Sequence, residues 1–355
     1  MSPSIGFNLY MYHAGAVYYC HMSEQYDFVA IGDTVVDAFI QLSPDQATVS
    51  KNLDTGRKTL EMQFGSKLPY DDVTVVNAVG NSPNASVSAH RLGIKSALIS
   101  SLGNDRNGTD CLEALRKEGV HTEYVKVHED KKTNYHYVLR YGPERTILIN
   151  HEHYPYVLPD FEVPPRFIYF SSIGEHGIDY HFEIAKYIKA HPETKLVFQP
   201  GTFQIKLGAQ KLKELYEVTE IFFCNKEEAQ EILGSSEQDV PTLIRAFKEL
   251  GPKMPVITDG PEGAYVVDAD DQAWHMPMYP DPAPPVDRTG AGDAFSSTFT
   301  TAISLGLTPA EALSWGPINS MSVVQHIGAQ EGLITREKLE QYLADAPEMY
   351  KARKI

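Results

Sequence analysis

The chain has 355 residues, 42% of them hydrophobic and 22% charged, which is the usage of a folded globular protein and excludes a disordered or collagen-like chain. Its 31 Lys and Arg residues against 47 Asp and Glu residues give a formal net charge of −16, which repels nucleic acid and anionic membrane surfaces. The three cysteines, Cys20, Cys111 and Cys224, lack the spacing of a disulfide framework or a zinc site. No apolar run reaches the length of about 18 residues that spans a bilayer. We therefore expect a cytoplasmic protein that binds neither nucleic acid nor membrane.

The amino terminus differs from the rest of the chain. Residues 1–21 contain no Lys, Arg, Asp or Glu, and they lack the cationic start and the cleavage site of a signal peptide. We interpret residues 1–21 as a leader or a misplaced start outside the fold. Residues 22–345 then form one folded domain, and residues 346–355 form a C-terminal tail.

Short apolar strands alternate with helical patterns from residue 28 to residue 258. Strands are predicted at residues 28–31, 97–102, 167–170, 196–198, 221–224 and 255–258, and helices at residues 83–92, 108–118, 180–190, 209–217, 226–233 and 241–250. Continuous apolar strands indicate burial on both faces, so the pattern predicts an α/β fold with a doubly wound, mostly parallel sheet flanked by helices. Ser82-Pro83 and Thr308-Pro309 each pair an N-cap residue with proline at the first helical position.

Two segments interrupt this alternation. Residues 40–76 are charged and loop-like, whereas residues 134–150 alternate apolar and polar side chains around Gly142-Pro143, which predicts a β-hairpin. Long insertions into compact domains are usually functional, so we expect a small β-sheet lid from residues 40–76 and 132–151, with an ornamental hairpin as the alternative. Tyr135 either stacks on a substrate from this lid or packs within the hairpin.

The segment from Asp287 to Phe295 carries the strongest chemical signal. It reads Asp-Arg-Thr-Gly-Ala-Gly-Asp-Ala-Phe and precedes an apolar helical run. The small residues Gly290, Ala291 and Gly292 let the backbone approach a phosphate, and a helix that starts there directs free N–H groups at it. Asp293 is then placed to accept a proton from an attacking hydroxyl. The alternative is a tight helix start that uses glycine only for packing.

This segment resembles the C-terminal signature of the ribokinase-like (PfkB) kinase family, and the similarity extends over about residues 27–345. The resemblance implies a substrate site, to which we assign Asp33, Asp37, Gly80, Asn81 and Asn84. It implies a nucleotide site that includes Asn225, Thr258, Gly260, Gly263 and Gly328. It also implies Mg²⁺ near Glu228, and a monovalent cation such as K⁺ beside Asp287 and the Thr289 carbonyl.

The residues themselves leave structural alternatives open. Asn225 and Glu228 follow a predicted strand, where α/β sheets bind ligands, but the same pair would also cap the next helix. The turn from Thr258 to Gly263 is equally compatible with an ordinary β-turn. Departures from the family pattern occur at four positions: Val79, Pro83, Gln199 and Arg288. The histidines His151, His153, His176 and His181 have no metal-site spacing and are expected in a hydrated loop.

The sequence thus predicts ATP- and Mg²⁺-dependent phosphoryl transfer to a hydroxyl of a small sugar, with Asp293 as general base and the amides of residues 290–292 as anion hole. A nucleoside or ribose-1-phosphate kinase is the first alternative, for which an extra phosphate would need a basic residue such as Arg140, Arg145 or Lys206. The second alternative is a non-catalytic sugar or nucleotide sensor. A nicotinamide dehydrogenase is disfavoured because the first strand lacks a Gly-x-Gly-x-x-Gly turn. ADP as donor stays open, and the candidate assembly is a homodimer formed through the lid.

Overall fold

The structure is a computed structural model that describes residues 12–13, 16–17, 25–52, 58–142 and 144–355. The predicted leader falls almost wholly outside the described residues, as does Pro143 of the predicted hairpin turn. Within the part of the chain that the structure describes, no helix is both long and apolar enough to cross a membrane.

The secondary structure follows the alternation of strands and helices that the sequence predicts. The strands are β1 (Tyr12–His13), β2 (Ala16–Val17), β3 (Phe28–Ile31), β4 (Val35–Leu42), β5 (Ala47–Lys51), β6 (Lys58–Met62), β7 (Tyr70–Val79), β8 (Ser96–Gly103), β9 (Val125–His128), β10 (Asn134–Tyr141), β11 (Glu144–Leu148), β12 (Phe167–Phe170), β13 (Lys195–Phe198), β14 (Thr219–Asn225), β15 (Met254–Thr258), β16 (Ala264–Val267), β17 (Ala273–Met276) and β18 (Arg353–Lys354). The helices are α1 (Asn81–Arg91), α2 (Arg106–Lys117), α3 (Ile178–Ala190), α4 (Thr202–Leu207), α5 (Lys213–Glu217), α6 (Lys226–Leu233), α7 (Val240–Glu249), α8 (Ala291–Ser304), α9 (Pro309–Val323) and α10 (Arg336–Ala344), with a 3₁₀ turn at Gly260–Glu262.

The central sheet has the strand order β18-β17-β16-β15-β14-β13-β12-β3-β8-β9. Strands from β9 to β15 in this order run parallel, and β16, β17 and β18 continue the sheet with antiparallel pairing. The prediction of a doubly wound, mostly parallel sheet flanked by helices is therefore confirmed.

Two hydrophobic cores lie on opposite faces of this sheet. Alternate residues of β3 contribute to each core: Phe28 packs with α1, α2, α8 and α9, whereas Val29 packs with α3, α5, α6 and α7. Because both faces are covered, the parallel strands are almost continuously apolar, which is why the sequence pattern identified them.

One of the two predicted helix caps is correct. Thr308 caps α9, with Pro309 at the first helical position. Ser82 does not cap α1, because the helix begins at Asn81 after Gly80. The Ser82 hydroxyl instead donates a hydrogen bond to the carbonyl of Ile31 (2.7 Å), which fixes α1 to the end of β3.

A second, smaller sheet has the strand order β11-β10-β4-β7. Strands β10 and β11 pair as the predicted antiparallel hairpin. The interpretation of residues 40–76 as loop-like is wrong, since they contain parts of β4 and β7 and the β5–β6 pair. These strands expose one face and carry many charges, so they lack the continuous apolar run of a buried strand. We call the four-stranded sheet the lid sheet.

The segment predicted as a C-terminal tail is packed against the domain. Arg353 and Lys354 form β18 at the edge of the central sheet. Tyr350 is buried and donates a hydrogen bond to the carbonyl of Ser314. Residues 346–355 thus complete the edge beside β17.

Candidate active site

The amino terminus of α8 follows a glycine in a left-handed conformation. Gly290 has φ 81°, and a Cβ atom there would lie 2.3 Å from the Cβ of Ala329. A Cβ atom on Gly292, by contrast, would meet no heavy atom within 4 Å. The helix start is therefore packed against Ala329 at Gly290 and open at Gly292. The backbone N–H groups of the first helical turn, which have no partner within the helix, are thus accessible to a ligand.

Asp293 lies in the first turn of α8 and is only 7% exposed. Its Oδ1 accepts hydrogen bonds from Asn81 Nδ2 (2.7 Å) and Gln199 Nε2 (3.0 Å), and its Oδ2 accepts one from Asn84 Nδ2 (2.8 Å). Burial raises the pKa of Asp293, while the hydrogen bonds from Asn84, Asn81 and Gln199 lower it in part. The structure thus brings the predicted residues Asn81 and Asn84 together with Asp293.

Two glutamines also belong to this network, and the sequence analysis missed the role of both. Gln199 appeared only as a departure from the family pattern, yet its Oε1 accepts hydrogen bonds from the hydroxyls of Tyr169 and Ser296 while its Nε2 donates to Asp293. Gln330 Nε2 donates to Asn84 Oδ1 (3.0 Å). That bond leaves the Asn84 amide nitrogen directed at Asp293. The position of Gln199 directly after β13 was the available signal.

Gly80 brings α1 against the end of the first sheet strand. Its φ is 123°, and an added Cβ would lie 2.6 Å from the carbonyl oxygen of Asp33. No other residue fits there without backbone movement. This close approach carries Asn81 and Asn84 to Asp293.

Asp37, which the resemblance assigned to the substrate site, lies within β4 of the lid sheet. It is the cross-strand partner of His136 on β10, and the Asp37 Oδ1 lies 3.4 Å from His136 Nδ1. Both side chains are buried. Within the described residues, neither Asp37 Oδ1 nor His136 Nε2 has a hydrogen-bond partner. The pair therefore offers one acceptor and one ring nitrogen to a ligand.

Asp33 is engaged elsewhere. Its carboxylate accepts hydrogen bonds from the Tyr156 hydroxyl (2.9 and 3.1 Å) and lies 3.1 Å from His151 Nδ1. It also lines a cavity of about 400 Å³ with Ser100 and Lys126. The structure thus does not bring Asp33 into the network of Asp293.

The expectation of a hydrated loop is confirmed for His153 and His176, which are exposed in loops, and is wrong for His181. His181 is 1% exposed on α3, and its Nδ1 lies 2.8 Å from the carbonyl of Gly177. Burial lowers the pKa of His181. The rings of His153 and His176 stack at 4.5 Å. These histidines pack a loop segment onto α3.

Tyr135 lies on the opposite face of the lid sheet from Asp37 and His136, because successive residues of a strand point to opposite faces. Its ring packs against Tyr137 at a centroid distance of 5.3 Å, and Tyr137 is half exposed. The structure therefore favours packing within the hairpin for Tyr135 and does not bring it to Asp293.

A cavity of about 380 Å³ opens beside the start of α8. The predicted nucleotide residues Thr258, Gly260 and Gly263 line it together with Ala291 and Gly292. Its wall also includes residues that the sequence analysis did not assign: Met278, Tyr279, Pro280, Asp281, Arg288, Phe295, Ser320 and Val324. Four of these, Met278 to Asp281, come from the proline-rich segment before the signature.

Two predicted nucleotide residues do not line this cavity. Asn225 caps α6: its Oδ1 accepts from the Glu228 backbone N–H (2.8 Å), and its own N–H donates to Glu228 Oε2 (3.0 Å). Gly328 lies under the lid sheet, where an added Cβ would meet Val76 and Phe39. The capping alternative for Asn225 and Glu228 is thus present in the structure.

Glu228 and Asp287 were predicted to hold cations. Burial raises the pKa of Glu228, the backbone N–H of Asn225 lowers it, and the negative charge of Asp293 raises it further. Asp287 is buried, and its two oxygens accept hydrogen bonds from the Thr289 backbone and hydroxyl and from the Gly328 N–H (2.9 Å). Asp287 therefore joins the signature turn to the loop at Gly328.

Comparison with known proteins agrees with this geometry. A ribokinase of Bacillus subtilis is 28% identical over 275 residues, which cover 75% of this chain and 87% of that relative. A nucleoside kinase of Methanothermobacter thermautotrophicus is 26% identical over 288 residues, covering 80% and 85%. The solved structure of Arabidopsis thaliana ribokinase complexed with ribose and ATP has a TM-score of 0.74 at 19% identity and covers 90% of this chain and 99% of its own. Residues 50–336 match the pfkB family of carbohydrate kinases. The chain is a member of this family and a carbohydrate kinase.

Proposed function

We propose that this kinase transfers the γ-phosphoryl group of ATP to a hydroxyl of a small polyhydroxylated substrate bound between Asp293 and the lid sheet. The observation that carries the proposal is the buried Asp293 carboxylate, held by three amide donors at the start of a helix that opens onto a cavity. A base, an anion-binding helix end and a nucleotide-sized cavity meet there, which is what phosphoryl transfer to an alcohol requires.

Asp293 acts as the general base in this proposal. Its burial raises its pKa and makes it a better proton acceptor, while the amides of Asn81, Asn84 and Gln199 keep it ionised and oriented. The proton of the acceptor hydroxyl passes to Asp293 as its oxygen attacks phosphorus. The buried network prevents the carboxylate from rotating away.

The backbone N–H groups of Gly290, Ala291 and Gly292 stabilise the negative charge on the transferred group. The open space beside Gly292 leaves room for the phosphates, and the neighbouring cavity takes the adenosine part. Support for ATP as donor comes from the similar fold of the ribokinase that binds ribose and ATP.

Glu228 fits a Mg²⁺ ion that takes most of its ligands from water and phosphate. Magnesium sites in phosphoryl-transfer enzymes usually use one or two carboxylates together with the phosphates. The negative charge of Asp293 raises the pKa of Glu228, so the two carboxylates repel each other. A bound cation would relieve this repulsion. Bound Mg²⁺ would offset phosphate charge. Asp287 is less suited to bind K⁺ than Glu228 is to bind Mg²⁺, because both Asp287 oxygens already accept hydrogen bonds.

The acceptor is a sugar or sugar derivative, with a nucleoside as the second candidate because one relative is a nucleoside kinase. Asp37 and His136 each have a buried polar atom without a hydrogen-bond partner among the described residues, and we assign them to bind the hydroxyls of the acceptor. A sensor without catalysis would not need the oriented base at Asp293, so we favour an enzyme.

Homodimer formation through the lid sheet is the assembly we propose. Val73, Val75, Tyr137 and Leu148 share its outer face and are each more than 40% exposed. Apolar patches of this kind favour association. Sedimentation of the Val75→Asp variant should give a monomer where the unaltered chain gives a dimer, whereas equal masses would contradict the assembly.

The function is tested by a screen of sugars, sugar phosphates and nucleosides with ATP and Mg²⁺, with formation of ADP as the readout. We expect turnover with at least one acceptor and none above background for Asp293→Asn. Binding of ATP and acceptors without turnover in the unaltered chain would support the sensor instead.

A further inference from the structure

Two arginines face each other on the lid sheet. Arg140 on β10 and Arg145 on β11 are direct cross-strand partners. The alternation along β10 puts Arg140 on the same face as His136, and therefore on the face that carries Asp37. The inner face of the lid sheet thus combines hydroxyl-binding groups with two positive charges.

This arrangement is unfavourable in the absence of a ligand. Like charges directly opposite each other destabilise a sheet. Arg140 is 9% exposed and donates a hydrogen bond to the carbonyl of Val286 (3.0 Å). The buried Nε of Arg145 has no hydrogen-bond partner among the described residues. A buried N–H without an acceptor costs free energy that a bound anion would recover.

The pair also lies on the substrate side of the lid sheet. Arg140 donates to the carbonyl of Val286, directly before the signature turn. Burial raises the pKa of Asp293, and the positive charge of Arg145 lowers it together with the three amide hydrogen bonds. The rest of the protein repels anions, since the net charge is −16. Lys206, the third basic candidate from the sequence, is exposed on α4 and forms no part of this face.

We propose that Arg140 and Arg145 form an anion subsite, and that the acceptor substrate carries a phosphate group which this subsite binds. A phosphate monoester has a charge of about −1.5 to −2 at neutral pH, which matches two guanidinium groups better than a carboxylate does. Arginine also presents paired N–H donors in the geometry that phosphate oxygens accept. The inference rests on the proposed kinase function and specifies its substrate class as a phosphorylated sugar or nucleoside.

The test compares phosphorylated and unphosphorylated forms of the same acceptors with ATP and Mg²⁺. We expect the unaltered enzyme to prefer the phosphorylated form by at least tenfold in kcat/KM. Arg145→Gln should raise KM for that form by about 10- to 100-fold and raise KM for the unphosphorylated form at least tenfold less, since only the phosphorylated form loses charge-assisted hydrogen bonds. Arg145→Lys should recover part of the loss. Arg106→Gln is the matched control, because Arg106 lies exposed on α2 and pairs with Asp110.

The outcomes separate the two proposals. Absence of turnover with every acceptor would contradict the kinase function itself. Turnover with a preference for unphosphorylated acceptors would overturn the anion subsite and leave the kinase function intact. An equal fall of kcat for both acceptor forms in Arg145→Gln would also overturn it, because the guanidinium would then act on the group transferred from ATP. Thermal unfolding of each variant shows whether a loss reflects misfolding.

Discussion

The two sides of the active site differ in how completely their polar groups are paired. Around Asp293, both carboxylate oxygens accept hydrogen bonds from side-chain amides. Two of these amides are held in turn, because Ser296 donates to the Gln199 oxygen and Gln330 donates to the Asn84 oxygen. On the inner face of the lid sheet, three residues each have a buried polar atom that lacks a hydrogen-bond partner in the described part of the chain: Asp37, His136 and Arg145.

This difference separates polar groups that are already oriented by hydrogen bonds from polar groups that lack a hydrogen-bond partner without a ligand. Groups that stabilise charge during a reaction work best when they are already oriented, because no reorganisation is then needed. Groups that recognise a substrate can stay unpaired if the ligand supplies the missing partners. In the proposed mechanism we therefore assign the closed network to phosphoryl transfer and the unpaired lid groups to acceptor recognition.

The largest expected effect is the loss of the base. Asp293→Asn should lower kcat by about 10²- to 10⁴-fold, the usual contribution of general-base catalysis, while ATP still binds. Kinetics with saturating ATP, together with nucleotide titration calorimetry, check both parts. A kcat within threefold of the unaltered enzyme would contradict the role of Asp293 as general base. It would also weaken the distinction between the Asp293 network and the lid sheet.

The rigidity of the α8 start predicts different outcomes for two neighbouring glycines. Gly290→Ala should lower the free energy of unfolding by about 1–3 kcal/mol, because alanine at positive φ is strained and its Cβ meets Ala329. Gly292→Ala should leave the unfolding free energy nearly unchanged but raise KM for ATP, since its methyl group enters the space proposed for the phosphates. Denaturant titration and steady-state kinetics of the pair measure this. Equal destabilisation of both variants would contradict the asymmetric packing.

On the lid side, adjacent residues on opposite faces provide a direct comparison. His136→Ala should raise KM for the acceptor by about three- to tenfold, the value of one lost hydrogen bond, with little change in KM for ATP. Tyr135→Ala should change both constants less than twofold, because Tyr135 packs on Tyr137 away from the site. A larger acceptor defect in the Tyr135 variant would reverse the assignment of the two faces.

The central sheet was predictable from the sequence because its strands are buried on both faces. Residues 28–31 and 167–170 were predicted as strands with the bounds that β3 and β12 have. The strands between residues 40 and 76 were missed because they carry many charged and polar residues, and because β4 pairs with β7 across the intervening β5–β6 pair. A single-sequence pattern cannot reveal that pairing.

The site shows the same division. The backbone of the signature turn and the aspartate that we propose as general base were singled out from local sequence, as residues 290–293. The Gln199 amide donates a hydrogen bond to Asp293. The Asp33 carboxylate accepts one from the hydroxyl of Tyr156, which lies 123 positions further along the chain. Both roles arise from tertiary contacts between segments that are far apart in sequence.

The smallest expected effect concerns the pH dependence of the base. Asp293 must be ionised to accept a proton, so kcat/KM should fall as the pH drops through its pKa. Asn84 donates a hydrogen bond that stabilises the ionised form and lowers this pKa. Asn84→Ala removes the donor, so the pKa should rise and the acidic limb of the kcat/KM profile should move to higher pH. Gln330→Ala should move it in the same direction but less, because it only frees the Asn84 amide to rotate. The control is Gln325→Ala, whose side chain donates to the carbonyl of Ala283 outside the network. An acidic limb that stays in place or moves to lower pH in the Asn84 variant would mean that the amides do not control the ionisation of Asp293, and the closed network would then serve only to orient it.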